Sequence, residues 1–400
     1  MSKQIQDAYI IAATRLPVGK RKGMFGHVRP DDLMAHAIKS VMAQAPGLDP
    51  ALVGDVIVGC AMPEAEQGMN VARIALLLAG LPNTVPGYTL NRLCSSGLQA
   101  IANAAERIRL GEAEVMIAGG TESMSLMSQM MGNKIAMNPA VFERDENLAI
   151  AFGMGLTAEK LAERWAILRE DQDAFALASH QKACAAIKAG YFKDEISPYL
   201  VRQRLPDLKS GEVMVKEYLA DTDEGPRPDS TLERLAKLKP VFAARGSVTA
   251  ASSSQMSDGA AALLLVSEKT LRQFDLKPLA RFVGYSVVGV APEIMGIGPV
   301  EAIPRVLKQT GVSQQDVGWI ELNEAFAAQS LAVMRTLALD PAKVNPLGGA
   351  IALGHPLGAT GAIRTTTLLH GLQRTKQRYG MVTMCIGTGM GAAGLFEAIP

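Results

Sequence analysis

Residues 85–120 read VPGYTLNRLCSSGLQAIANAAERIRLGEAEVMIAGG, and the order of their local preferences sets the fold class. Val85 to Arg92 is an extended run, Ser95 to Arg109 is helical, and Glu114 to Ala118 is a short strand leading to the pair Gly119-Gly120. The same alternation continues outward. Upstream, Tyr9 to Ala13 reads as a buried strand, Asp31 to Gln44 as a helix opened by acidic residues, Asp55 to Gly59 as a strand and Asn70 to Ala79 as a helix. Downstream, Ala260 to Val266 reads as a strand returning to the first layer, while Ala280 to Val290, Trp319 to Leu322 and Met381 to Ile386 read as strands of a second layer. Such alternation predicts an α/β fold built in layers around a mixed or parallel sheet.

The stretch from Thr121 to Gly246 differs in character. It is Met-rich at first (Met124, Met127, Met130, Met131), helical from Thr157 to Ala189, and polar and Pro/Gly/Asp-rich from about Leu205 to Pro228. It reads as an insertion of loops and helices. The flanking halves share a plan. Thr89 to Leu93 leads into Cys94, a helix, a strand and a Gly pair; Lys343 to Leu347 leads into a Gly-rich loop, His355, a helix and a strand ending at Cys385. Two similar α/β halves are the economical reading. The expected division is 1–120 plus 248–275 for the first half, 121–247 for the insertion and 276–400 for the second half.

Composition narrows the function classes. The chain has 400 residues, 48% of them hydrophobic and 20% charged, which leaves room for large packed cores and argues against disorder. At about one domain per 150 residues, two or three domains are expected. A net charge of +1 and 5% aromatic residues do not mark a nucleic-acid binder. The cysteines Cys60, Cys94, Cys184 and Cys385 have neither metal-ligand spacing nor a disulfide pattern, so no metal is expected. The N-terminus lacks a secretory layout, no apolar run reaches membrane-spanning length, and Ala398-Ile399-Pro400 is not a peroxisomal address. The expectation is a cytoplasmic protein without membrane insertion.

Cys94 stands where an extended segment meets a helix. Unpaired N–H groups and the positive end of the helix dipole are expected to lower the pKa of a thiol there. Small Ser95, Ser96 and Gly97 let a ligand approach. His355 precedes Pro356, which restricts it to extended angles on a stiff Gly-rich loop, and a neutral imidazole there can take a proton from a thiol. Cys385 ends a strand and opens Ile386-Gly387-Thr388-Gly389; the Gly387 N–H is free of side-chain obstruction, as an oxyanion hole requires. Gly389 to Gly394 formally matches GxGxxG, but no room follows it for the second strand and acidic residue of a dinucleotide site. Asn323-Glu324 follows the strand Trp319 to Leu322 and, read alone, is a helix cap. Cys60, Cys184 and the histidines His27, His36, His180 and His370 read as structural.

Together these segments resemble the thiolase family over nearly the whole chain. The resemblance rests on Asn91-Arg92-Leu93-Cys94-Ser95-Ser96-Gly97, Gly119-Gly120-Thr121-Glu122-Ser123-Met124, Ser257-Asp258-Gly259-Ala260-Ala261, Asn323-Glu324-Ala325-Phe326, Gly354-His355-Pro356 and Cys385-Ile386-Gly387-Thr388-Gly389-Met390-Gly391, in family order. It implies a layered αβαβα fold from two βαβαβ-type halves, with the insertion as a loop domain over the site. It implies a homodimer or homotetramer, and coenzyme A as co-substrate with no permanently bound cofactor. Cys94 would be the acylated nucleophile, His355 its base and Cys385 the group moving a proton at the substrate α-carbon. Asn323 would hold a water that, with His355, stabilises the thioester oxygen. The N–H groups of Cys94 and Gly387 would stabilise the tetrahedral intermediate. Arg227 would lie near the nucleotide part of coenzyme A, with Met154, Phe242, Ala250, Ser254 and Phe326 lining the pantetheine channel. Ala251-Ser252 replace the Gly-Asn common in the family after Thr249-Ala250.

The resemblance implies cleavage of 3-ketoacyl-CoA by coenzyme A to acyl-CoA and acetyl-CoA, as in fatty-acid β-oxidation. Relatives specialised for acetoacetyl-CoA usually carry a His where Gly153 precedes Met154-Gly155, so a roomier pocket and longer acyl chains are expected. The alternatives are an acetoacetyl-CoA thiolase joining two acetyl-CoA, a decarboxylating condensing enzyme, which typically has a second His in place of Cys385, and a catalytically silent lipid- or CoA-binding protein.

Overall fold

The computed structural model describes residues 5–127 and 137–399; Met130 and Met131 of the Met-rich stretch lie outside them. Its strands in chain order are β1 (Ala8–Arg15), β2 (Gly19–Lys20), β3 (Asp55–Gly59), β4 (Gly87–Leu90), β5 (Val115–Ser123), β6 (Tyr199–Pro206), β7 (Val213–Ala220), β8 (Ser257–Ser267), β9 (Ala280–Gly289), β10 (Val317–Leu322), β11 (Tyr379–Ile386) and β12 (Met390–Ala398). The large sheet runs β10-β11-β12-β9-β1-β8-β5-β3-β4, with β2 against β8. At its middle, β1 and β9 pair only through Tyr9 with Arg281 and Ile10 with Ala280. There two sheets meet along one edge.

The two sides repeat one topology. In the first, β3 is flanked by β4 and β5, both parallel to it, and β8 joins β5 to β1 antiparallel. In the second, β10 is parallel to β11, and β12 joins β11 to β9 antiparallel. The place of β4 is taken by Val344, which bridges Ile320 in parallel. The helix Ser96–Arg109 connects β4 to β5, and the helix Leu357–Thr375 leads from the Val344 segment to β11. The expected two-halved layering is therefore present, and Cys94 and His355 occupy corresponding places ahead of these two helices.

Strand periodicity assigns the cores. In β5, Met116 and Ala118 face the middle layer while Val115 and Ile117 face the outer one. β8 alternates likewise, Leu263 and Leu265 inward and Leu264 and Val266 outward. With both faces covered, its apolar run is nearly continuous. The middle layer holds Leu98, Ile101, Ile108, Leu368 and Leu372 of the two central helices, between Ile57 and Met116 on one side and Met384 and Phe396 on the other. Helix Pro30–Ala43 covers the first sheet through Leu33, Ile38 and Val41, and helix Gly298–Thr310 covers the second through Ile303 and Val306.

The central helices touch backbone to backbone. A Cβ on Gly361 would lie 2.2 Å from the Leu98 nitrogen, and one on Gly97 would lie 2.8 Å from the Ala362 nitrogen. Gly361→Ala is expected to destabilise the protein by about 2 kcal/mol through overpacking. Gly47→Ala, whose Cβ would meet nothing within 4 Å, serves as the control. Calorimetry checks this: equal melting temperatures for the two variants would mean that the helix contact yields without cost.

Two elements differ from expectation, and a third was not foreseen. The helical run expected from Thr157 to Ala189 is two helices, Met154–Arg164 and Arg169–Ala189, broken at Ala166, whose φ is 51°. The polar stretch after Leu205 is not all loop: β6 and β7 form a hairpin turned around Asp207 to Gly211. The Gly-rich end, Met390–Ala398, is a buried strand. Among the described residues no helix is long and apolar enough to cross a membrane.

Candidate active site

The parallel strands of both halves end toward one place, where ligands of α/β sheets usually bind. After β4 the chain enters a 3-10 turn, Leu93–Ser95, ahead of the helix that starts at Ser96. Leu93 takes a left-handed conformation with φ 47°, uncommon for a residue with a side chain. Local bonds over-determine it: the Leu93 N–H donates to Asn91 Oδ1 at 2.8 Å, and Ser96 Oγ donates to the Leu93 carbonyl at 2.7 Å. The strain sits directly before Cys94, where it aims a side chain out of the turn.

Cys94 is half-buried, but its thiol is enclosed. Burial pushes the thiol pKa up to about 11, against the opposing pull of the N–H groups of Gly387 and of Cys94 itself. The expected lowering is thus reversed, because desolvation outweighs the backbone dipoles. Cys94 also stands in the tight turn before the helix rather than on its first helical residue.

Gly387 begins the turn between β11 and β12, closed by left-handed Thr388 (φ 68°) and Gly389 (φ 94°). A Cβ on Gly387 would lie 3.2 Å from Leu93 Cδ1 and 3.6 Å from Met154 Sδ. The loop thus faces the Cys94 turn and the start of the Met154–Arg164 helix together. Cys385 is buried on β11, and its thiol pKa is pushed far up, first by burial and then by the nearby charge of Cys94.

Asn323 follows β10 beside β11, its N–H donating to the Thr383 carbonyl at 2.9 Å. Its amide nitrogen lies 3.4 Å from His355 Nε2. Asn323 Oδ1 is buried without a partner among the described residues. The pair Asn323-Glu324 does not cap a helix, since the next one begins at Ala327 behind Phe326. Glu324 instead accepts from Ser179 Oγ at 2.7 Å, Asn345 Nδ2 at 2.9 Å and the Ile351 N–H at 3.2 Å, fixing the loop that carries His355.

His355 is buried, with its N–H donating to the Gln255 carbonyl at 3.1 Å and its Nδ1 2.6 Å from Thr360 Oγ1. Burial pulls the imidazole pKa down to about 3, and Arg364 pushes the same way. Resting Cys94 and His355 are therefore a neutral thiol and a neutral base. Glu122 is a residue whose role here the motif alone did not disclose. Its buried carboxylate accepts from the N–H groups of Ala61 and Gly358, each at 2.8 Å, and from Gln67, tying the first half to the start of the Leu357–Thr375 helix. Its charge also contributes to raising the Cys94 thiol.

The residues assigned to coenzyme A fall into two neighbouring groups. Phe242 and Phe326 meet edge to face at 5.9 Å. Ser254 donates its N–H to the Ala325 carbonyl at 2.9 Å, beside Phe326, and Gly155 packs on the Phe242 ring. Arg227 and Ala250 line a cleft of about 270 Å³ with His180, Arg234, Ser253 and Ile351. His180 Nδ1 accepts the Arg227 N–H at 3.2 Å, and the Arg227 guanidinium forms no ion pair among the described residues. Ser252, in place of the family's Asn, is buried and closes a turn by accepting the Thr249 N–H at 2.9 Å. Cys60 is core, its thiol 3.8 Å from Glu122, whereas Cys184 is only half-buried.

Comparison with known proteins identifies the family. Residues 8–269 match the model of the thiolase N-terminal domain, and residues 276–398 that of the thiolase C-terminal domain. The chain is 50% identical over 395 residues to a 3-ketoacyl-CoA thiolase of Bacillus subtilis, covering 98% of this chain and 100% of the relative. It is 44% identical over 409 residues to a beta-ketoadipyl-CoA thiolase of Pseudomonas knackmussii, covering 98% and 100%. Among solved structures, the acetyl-CoA acetyltransferase of Bacillus anthracis matches with a TM-score of 0.89 at 43% identity, covering all of both chains. The protein belongs to the thiolase family and is an acyltransferase.

Proposed function

We propose that this protein cleaves 3-ketoacyl-CoA with coenzyme A to give acetyl-CoA and a shortened acyl-CoA. The carrying observation is the meeting of two thiols, Cys94 and Cys385, beside the Gly387 N–H, with the neutral imidazole of His355 held against Asn323 at the corresponding place of the second half. Carbon–carbon cleavage needs one group to bond the acyl carbon and another to deliver a proton to carbon.

Cys94 Sγ attacks the 3-keto carbon while its proton passes to His355 Nε2. The Gly387 and Cys94 N–H groups, already directed at the thiol, receive the oxyanion. As the C2–C3 bond breaks, its electron pair becomes the enolate of acetyl-CoA, whose thioester oxygen is stabilised by His355 and a water held on Asn323 Oδ1. Cys385 protonates the carbon and acetyl-CoA leaves. The thiol of a second coenzyme A gives its proton to the Cys385 thiolate and attacks the acyl-Cys94 thioester, releasing acyl-CoA, and the expelled Cys94 thiolate takes its proton back from His355. The Arg227 cleft suits the nucleotide phosphates, and Met154, Phe242, Ala250, Ser254 and Phe326 suit the pantetheine arm. The working form is at least a dimer, a reading supported by the exposed Leu208, Val213, Met214 and Val215 of the β6–β7 hairpin.

Chain length is read from Gly153. Gly153 is exposed and carries no side chain, and its neighbour Met154 lies near Gly387, so nothing at position 153 narrows the approach to the reacting groups. The expected result is a kcat/KM about tenfold higher for a medium-chain 3-ketoacyl-CoA than for acetoacetyl-CoA, the scale of one or two extra methylenes in an apolar pocket. Thiolysis assays with both substrates and beta-ketoadipyl-CoA test it. Preference for acetoacetyl-CoA would make the enzyme an acetyl-CoA acetyltransferase, and preference for the carboxylate-ended chain would replace the alkyl substrate class.

A further inference from the structure

The His355 ring has two side-chain partners among the described residues, and neither is a carboxylate. Asn323 places its amide nitrogen 3.4 Å from Nε2. A donor there matches a lone pair on Nε2 and puts the ring proton on Nδ1. The group that meets Nδ1 is the Thr360 hydroxyl, at 2.6 Å.

Two threonines of the Leu357–Thr375 helix do not bond back to it: Thr367 donates to Glu195 Oε1 at 2.8 Å, and Thr360 meets the imidazole. Thr365, Thr366 and Thr375 each turn their hydroxyl back to a carbonyl of the preceding turn, those of Gly361, Ala362 and Gly371. Such back-bonding is the ordinary fate of a helical threonine. The corresponding carbonyl for Thr360 is that of Pro356, which accepts the N–H groups of Ala359 at 2.8 Å and Thr360 at 3.1 Å. The Thr360 hydroxyl goes to the imidazole instead. The residue is 1% exposed, so solvent does not offer the ring a substitute.

We propose that Thr360 is the positioning residue of the site, an orienter for His355 in the place an acidic residue takes in a Ser-His-Asp triad. Its oxygen accepts from Nδ1–H and so keeps Nε2 the unprotonated, proton-accepting nitrogen of the ring. During attack the proton leaves Cys94 Sγ for Nε2 as the S–C bond forms, while the Nδ1 proton stays on the ring. A neutral orienter stabilises the imidazolium less than a carboxylate would, so the ring gives the proton back readily. This serves an enzyme whose His355 acts in both half-reactions.

The inference rests on His355 being the base, and the test separates the two. Thr360→Val keeps the volume and removes the hydroxyl; Thr360→Ala, which removes the methyl as well, stands in should the valine fail to fold. Expected for either is a kcat lower by about 10- to 100-fold with KM within about twofold, and a matching slowing of Cys94 alkylation by iodoacetamide in the free enzyme. Thr360→Ser is expected to restore kcat to within about threefold of the parent. Unchanged kcat in the hydroxyl-free variants, or a serine variant as slow as they are, overturns the proposal; in the second case the methyl group acts by packing alone. His355→Gln is the control. If it is slow while Thr360→Val is not, only the orienter is wrong; if it keeps full kcat, the base assignment itself fails.

Discussion

Cys94→Ala is expected to abolish thiolysis, with a loss of at least about 10⁵-fold, because no other group at the site can carry the acyl chain between the half-reactions. Cys385→Ala is expected to stop carbon–carbon cleavage as well, but to leave a partial reaction intact. Exchange of labelled coenzyme A into an acyl-CoA needs attack on a thioester carbonyl and expulsion of a thiolate, with no proton moved at carbon. Cys94, His355 and the Gly387 N–H suffice for that, so the Cys385 variant should retain exchange within about tenfold of the parent while the Cys94 variant loses it. Mass spectrometry after incubation with acyl-CoA should find an acyl adduct on Cys94 in the Cys385 variant. An adduct on Cys385 in the Cys94 variant, or exchange surviving there, would exchange the roles of the two thiols.

The corresponding places of Cys94 and His355 in the two halves were legible largely because the chain repeats itself. Cys94 and His355 each precede the helix that links the third strand position to the fourth in their half, and that plan is visible as an extended run, a small-residue break and a helix. The structure adds why the breaks are small: Gly97 and Gly361 sit where the two helices touch backbone to backbone. What could not be read has equally local causes. Glycines at 389, 391 and 394 mask β12 in the sequence, yet a Cβ on Gly391 would lie 2.1 Å from the Gly298 carbonyl carbon, so this glycine belongs to packing. The helix break at Ala166 carries neither Gly nor Pro. The β6–β7 hairpin packs on the core only at its base, through Val201 and Ala220, while its outer half is exposed on both faces and lacks the alternation that marks a strand lying on a core. Thr360 is one threonine among several on a helix, and only its distance to Nδ1 distinguishes it. The direction of the Cys94 shift was misread because sequence shows the helix dipole but not the enclosure of the sulfur.

That reversed shift gives His355 its weight. With the thiol at about 11 and the imidazole at about 3, neither group titrates between about pH 5 and 9, and the resting pair stays neutral. Alkylation of Cys94 by iodoacetamide should therefore be nearly flat across that window, because His355 accepts the proton during attack rather than beforehand. His355→Gln removes the acceptor, and only the thiolate fraction remains reactive. Below a pKa of about 11 that fraction rises tenfold for each unit of pH, so the variant's rate should climb with unit slope from pH 6 to 9. Its kcat for thiolysis near neutrality should fall by about 10³-fold, the usual scale of general-base loss. A variant profile as flat as the parent's would show that Cys94 is activated without His355. A parent profile of unit slope would show that the thiolate forms before attack, and the imidazole would then act only on the thioester oxygen of the enolate.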